Sequence, residues 1–459
     1  MPTTDPDPSK RSTPLRLGTG AGFAGDRIPP AVDLVERGEL SHLILECLGE
    51  RTVALAQLAK RSDPDLGYGQ RLHERMEAVL PSCVRQGTTI ISNIGAANPR
   101  AAARETRSIA RDLGLGGLSV AAITGDDVRE RVLETDARVW ETGEPVADLG
   151  ADLLSANAYI GVDAVLPALR AGVDVILGGR IADPSLFLAA MIHRFGWALD
   201  DWDRLGAGTV VAHLMECGAQ VTGGYFADPG RKDVPGLTDV GFPIAEVYPD
   251  GSAIISKTPG SGGVVSEQTC KEQLLYEIGD PNGYLTPDVT ADLTQVTLNQ
   301  VGPDRVEVRG GRGTARPDRL KVTLGVEQGY LGEGQISYGG PGAADRATLA
   351  GQLVRDRLAR SGVDPGHLRI ERIGVDAALQ GFIPEPADPG HDVRLRVAGR
   401  ATTHRDAARI GEEVEALYLN GPAGGGGATT AVRPVIAAYS TLIDRSLVEI
   451  RTDIEGGRT

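Results

Sequence analysis

From Leu15 to about residue 200 the chain repeats one pattern: a short apolar run ends in glycine or polar residues, and an amphipathic helical stretch follows. The apolar runs are Leu15–Leu17, His42–Glu46, Thr88–Ser92, Leu118–Ile123 and Val173–Leu177. Apolar runs of this length alternating with helices predict parallel βαβ units. Their unbroken hydrophobicity predicts a sheet covered on both faces. The 61 glycines and 28 prolines among 459 residues exclude an all-helical fold and supply the tight connections an α/β chain needs. Aromatic residues are only 4%, so the core must be built from Ala, Val, Leu and Ile.

After residue 300 the pattern changes to strands at Lys321–Val326, Gly334–Tyr338, Leu368–Gly374 and Asp392–Ala398, with helices at Ala343–Arg360 and Asp406–Leu417. The expected fold class is therefore α/β, an N-terminal parallel βαβ domain (14–300) with a C-terminal α+β two-layer sandwich domain (301–459). Residues 1–13, polar and proline-rich, are expected to be a disordered tail.

Net charge is −15, with no Lys/Arg run or basic-aromatic stripe, so no nucleic-acid partner is expected. No apolar stretch reaches membrane-spanning length, and none at the start resembles a signal peptide. Four scattered cysteines suit a reducing compartment. A cytoplasmic chain is expected, without a membrane partner.

Parallel α/β folds bind ligands at the carboxyl ends of their strands. The residues predicted there are Asp26, Glu46, Glu50, Arg51, Asn93, Asn98, Asp126, Asp127, Asn157, Arg180 and Asp183. Capping and turn formation explain single Asp or Asn residues equally well, and a mutual ion pair would explain Glu50–Arg51. Capping explains neither Arg180 nor the glutamates. The first turn, GTGAGFAGD, spaces Gly18, Gly20, Gly22 and Gly25 in a way that could offer backbone amides to an anion or form only a tight turn. The absence of GxxxxGK[ST] excludes a nucleotide-hydrolysing P-loop. HLMECG puts His213, Glu216 and Cys217 on one helix face, where they could do acid–base chemistry, hold zinc or simply pack. Cys217 is a nucleophile only if its thiolate is stabilised. NGPAGGGG (420–427) is either a flexible turn or a bare backbone that lets a ligand or subunit approach closely.

Ten phrases in order, among them GTGAGFAGDRI (18–28), LECLGERT (45–52), SNIGAANP (92–99), GGRIADPSLFLAAMIHRFGW (178–197), HLMECGAQVTGGYFADPG (213–230) and KEQLLYEIGDPNGYLTPDV (271–289), carry a resemblance. The sequence resembles the acyclic terpene utilisation protein A family of bacteria over about Leu15 to Val448. That resemblance implies breakdown of citronellol- and geraniol-type acids through acyl-CoA intermediates, hence a branched acid or CoA thioester as ligand. It transfers no catalytic residues. Lys257, Tyr276 and Asp288 lie in family-like phrases without an assigned role. A small C-terminal domain carried by some members is expected to be absent.

The leading expectation is a lyase- or hydratase-type enzyme acting on a carboxylic acid or acyl-CoA. Glu46, Asp126, His213, Glu216 and Cys217 are its catalytic candidates. Gly20, Gly22, Asp26, Arg51, Asn93, Asn98, Asn157, Arg180 and Asp183 are its candidate substrate contacts, with Arg180 and the glycine-loop amides on the anionic end. No metal and no cofactor is expected beyond CoA as part of a substrate, and a homo-oligomer is expected. The alternatives are a non-catalytic ligand-binding or scaffold subunit of an acyl-CoA pathway, and a metal-dependent hydrolase at His213, Glu216 and Cys217.

Overall fold

The computed structural model of the chain describes residues 13–362, 368–379, 382 and 390–456; the first twelve residues of the expected tail lie outside that set. In chain order the elements are β1 (Leu15–Ala21), α1 (Pro29–Arg37), β2 (His42–Leu45), α2 (Glu50–Ser62), α3 (Leu72–Gln86), β3 (Thr89–Ser92), α4 (Pro99–Asp112), β4 (Val120–Thr124), α5 (Arg129–Leu133), β5 (Leu153–Ala158), α6 (Val162–Arg170), β6 (Val175–Gly178), α7 (Asp183–Phe195) and α8 (Trp202–Glu216). There follow β7 (Pro243–Val247), β8 (Ala253–Lys257), α9 (Glu267–Leu275), β9 (Tyr284–Leu285), β10 (Thr290–Asp292), β11 (Thr297–Gly302), β12 (Arg305–Arg309), β13 (Arg312–Thr314) and β14 (Arg319–Gly339). The last are α10 (Ala343–Arg360), β15 (Arg369–Ile373), β16 (Asp392–Ala401), α11 (His404–Glu415), α12 (Leu417–Asn420), β17 (Gly425–Asp444) and β18 (Arg451–Glu455). Two compact units result: Met1–Gly325 with Ala438–Thr459, and Val326–Ala437.

The larger unit is built on a sheet of order β11-β12-β8-β7-β1-β2-β3-β6-β4-β18. Its middle five strands, β1-β2-β3-β6-β4, are parallel. Strands β7, β8, β12 and β11 extend one side antiparallel, and β18 runs antiparallel to β4 on the other. Successive side chains of a strand face opposite ways, and here both directions are apolar. Ile44, Ile91, Ala121, Ile123 and Ile176 pack with α6, α7 and α8 on one face. Leu43, Leu45, Ile90, Val120, Ala122, Val175 and Leu177 pack with α1, α3 and α4 on the other. All helices on this sheet are too short or too polar to cross a membrane among the described residues.

In the smaller unit β15, β16, β14 and β17 form a sheet. Ile336, Tyr338, Val393, Leu395 and Val397 bury themselves with α10 and α11. Polar partners such as Arg394 with Gln335 and Ser337, and Arg396 with Glu371, alternate with them.

The division of the chain differs from a single boundary near 300. Leu298, Val306 and Val308 of β11 and β12 join the core of the large sheet, and β18 returns to it. The two strands expected at Lys321–Val326 and Gly334–Tyr338 are one, β14. Glycines between them, which read as breaks, are packing positions: a Cβ on Gly325 would meet Ser155 and Ala54, and one on Gly334 would meet Val414. Likewise Gly425, in the NGPAGGGG phrase, opens β17 and packs against Ile336 and Tyr338.

Candidate functional site

The carboxyl ends of β2, β3 and β6 and the last turn of α8 converge. Glu46 follows β2, Asn93 follows β3, Arg180 follows β6, and Asp183 opens α7. With His213, Glu216, Cys217 and Gly22 from the predicted set, all but Asn93 line a cavity of about 1040 Å³. Glu50, Tyr159, Tyr284, Lys321 and Trp140 line it too.

His213 and Glu216 are buried and joined Nδ1 to Oε1 at 2.7 Å. Their other atoms, His213 Nε2 and Glu216 Oε2, have no partner among the described residues. Burial, with Asp183 and Glu277 nearby, holds the Glu216 carboxyl above the usual range despite its imidazole partner. Burial alone would depress His213, but the Glu216 carboxylate, together with the Leu274 backbone and Glu277, outweighs it and holds the imidazole above its ordinary value. The Tyr284 ring lies 5.5 Å from that of His213.

Glu46 Oε1 accepts from the Leu48 amide at 2.8 Å and from Asn93 Nδ2 at 3.1 Å. The same Asn93 amide reaches Asp183 at 3.4 Å, and its oxygen accepts from the Cys47 amide. Burial first, and the neighbouring Asp183 second, push the Glu46 carboxyl up to about 8. An unfolded glutamate titrates near 4.5, so between those values the folded chain holds the extra proton and stability falls as pH rises. Asp183 and Glu216, also raised, act in the same direction. Glu46→Gln is therefore expected to lessen the loss of stability between about pH 5 and pH 8, read from urea midpoints; an unchanged slope would remove Glu46 as its source.

Arg180 is fully buried. One terminal nitrogen donates to the Leu48 carbonyl and to Asp183 Oδ1 (3.1 Å), the other to the Tyr159 hydroxyl at 2.8 Å. Its guanidinium carbon lies 4.1 Å from the Tyr159 ring centroid. Tyr159 donates to Glu50 at 2.5 Å. Desolvation of Glu50 is outweighed by Tyr159, Arg180 and Lys321, which bring its carboxyl down to about 2.

Other predicted residues lie off the cavity. Asp126 sits behind the wall, where one oxygen accepts from the Arg180 amide and from Asn157 Nδ2, both at 2.8 Å. Burial raises it to about 6. A Cβ on Gly179 would collide with it, so Asp126 and Asn157 shape the β6 turn. Asn98 caps α4 through the Ala101 amide. Arg51 is exposed on α2, and the expected Glu50–Arg51 pair is replaced by contacts of Glu50 with Tyr159 and Lys321. Nor is the glycine loop an open anion cradle. The Gly22 amide donates to Asp26 at 2.9 Å, Arg75 donates to the carbonyls of Gly20 and Asp26, and a Cβ on Gly22 would strike the Cys217 backbone. The condition for a nucleophilic Cys217 is not met, because burial and then Glu216 push its thiol up to about 12. Among the described residues no group of three or more His, Cys, Asp or Glu side chains is placed to hold a metal ion.

The model of the acyclic terpene utilisation family protein AtuA matches residues 15–454. The chain belongs to this family. No curated protein and no solved structure matches it.

In this AtuA-family chain the family-like phrases LECLGERT, GGRIADP and HLMECG each supply a wall of the cavity, through Glu46 and Glu50, Arg180 and Asp183, and His213 and Glu216. Sequence reasoning missed Tyr159, Arg319, Lys321, Trp140 and Tyr284. Arg319 and Lys321 carried one usable signal, charges alternating with Leu320 and Val322 at the start of a strand. Asp288, without an assigned role, holds α6 and α7 together through the Val162 amide and Ser185.

Proposed function

We propose that this chain is an acid–base enzyme of the lyase or hydratase type, acting on a carboxylic acid or an acyl-CoA thioester. The observation that carries the reading is the buried His213–Glu216 pair on the cavity wall, with Nε2 and Oε2 left unpartnered. Removing a proton next to a thioester carbonyl requires a positioned base whose pKa lies near the working pH. The imidazole held by Glu216 supplies the base. Glu46, its carboxyl pushed up to about 8, supplies a proton donor on the same cavity. In a hydration, the oxygen of water bonds to the β-carbon of an unsaturated acyl group, one of its protons passes to the base, and a proton is delivered to the α-carbon; elimination is the reverse. Leu48, Ile278, Leu285 and Leu442 give the cavity the apolar lining a hydrocarbon chain needs.

The test is incubation of the chain with straight and branched acyl-CoAs, saturated and 2-unsaturated, in deuterium oxide. Deuterium entering next to the carbonyl, or gain of water, is expected above the protein-free control for at least one thioester. Neither change across the panel would overturn the enzymatic reading. A second reading, a subunit that presents a bound ligand to another protein, is favoured by the exposure of Trp140 (74%) and Leu285 (67%) on the same cavity. It requires ligand binding without exchange.

A further inference from the structure

We infer that Arg319 and Lys321 form the anchor for the anionic end of the ligand, and that Arg180 is a positioning residue. The ligand class rests on the function proposed above.

Arg180 already spends both terminal nitrogens on Leu48, Asp183 and Tyr159, and it has 2% of its surface exposed. A ligand carboxylate would have to displace those partners to reach its fork. Arg319 and Lys321 stand two apart on β14, so their side chains leave the same face, while Leu320 between them is buried. Both line the cavity. The Lys321 ammonium is positioned but accessible: it lies 3.3 Å from Glu50 and 4.8 Å from the Tyr159 ring centroid, with 45% of the side chain exposed. Arg319 is exposed, and its side chain makes no hydrogen bond or ion pair among the described residues, although its charge acts on the nearby Asp444. Elsewhere on the cavity stand the carboxyl groups of Glu46, Asp183 and Glu216. Glu50 and Asp318 stand beside Arg319 and Lys321, so what marks the β14 part is that its two cations are exposed to an incoming anion, whereas Arg180 is buried against its own partners. This leaves the uncharged, reacting portion of the ligand on the side of His213. The recognised chemistry is an oxyanion, either a free carboxylate or a phosphate of CoA.

Trp140 lines the same cavity, so its fluorescence reports occupancy. The probes are a branched ten-carbon carboxylate, its methyl ester, and free CoA, titrated into the full chain and into Arg319→Met, Lys321→Met and Lys321→Arg. Either methionine variant is expected to weaken binding of the carboxylate or of CoA by about tenfold or more, the usual worth of a hydrogen bond to a charged group. The ester should be unaffected and Lys321→Arg should retain affinity. The probe that responds, carboxylate or CoA, identifies the source of the anion. Acid and CoA bound equally well by wild type and both methionine variants would overturn the anchor while leaving the acid–base site intact. No binding of any probe to wild type would overturn the anchor and the proposed ligand class together. Unchanged urea midpoints in the variants separate lost recognition from lost folding.

Discussion

Exchange of Glu216 for glutamine is expected to slow turnover of a responsive thioester by about a hundredfold to ten-thousandfold, the range set by loss of a positioned acid–base group, while Trp140 still reports ligand binding. Glutamine keeps the shape and can still accept from Nδ1, so the imidazole stays in place. What disappears is the charge that offsets burial of His213. The imidazole pKa then falls, and the acidic limb of kcat/KM moves to lower pH. Stability should change little, because the substitution removes the cost of burying a charge while the amide nitrogen that replaces Oε2 is left without a partner as the oxygen was. The double variant His213→Gln/Glu216→Gln should cost little more than the worse single change, as expected of residues acting as a unit. Loss of stability and turnover together, with the pH profile unmoved, would show instead that the pair is ordinary packing.

Arg180→Met is expected to do the opposite: to cost stability before it costs recognition. Removing one partner of a buried charge pair costs about 3–5 kcal/mol, and here three acceptors are stranded at once, the Leu48 carbonyl, Asp183 and the Tyr159 hydroxyl. The lower end of that range is expected, because Asp183 faces the cavity and water can reach it. Arg180→Lys should rescue little, since one ammonium cannot reach three acceptors and lie flat on a tyrosine ring. Urea unfolding measures the loss directly. A variant as stable as wild type that no longer binds the ten-carbon acid would return Arg180 to the role of anchor.

The central sheet was legible because its strands are covered on both faces. Runs such as HLIL and VILG cannot be read as anything half-exposed, and α4 between them carries a side-chain cap in Asn98. Glu46, Arg180 and Asp183 were legible as residues at strand ends, but that they share one cavity with His213 and Glu216 of the α8 end became visible only in the fold. The parts that were not legible depend on distant packing. Gly22 looks like an anion loop until Asp26 and Cys217 are found against it. Asp126 looks like an acid–base candidate until it is found bonded to the Arg180 amide. The path of β14 is hidden because its glycines serve close approach rather than turning. Lys321 gains meaning only from Tyr159 and Glu50, which lie far away in sequence.

The pairing of β18 with β4 also sets a timetable. Arg100 and Asp453, joined beside that edge, are 353 positions apart. A ribosome adding about 5–20 residues per second takes roughly 20–70 s to travel that distance. For that interval Val120–Thr124, an apolar strand, has its outer row of amides and carbonyls open to any other strand. The smaller unit, residues 326–437, has to emerge in the meantime. Newly made chains are thus at greatest hazard of sticking to one another late in synthesis, when nearly all of the sheet is already assembled.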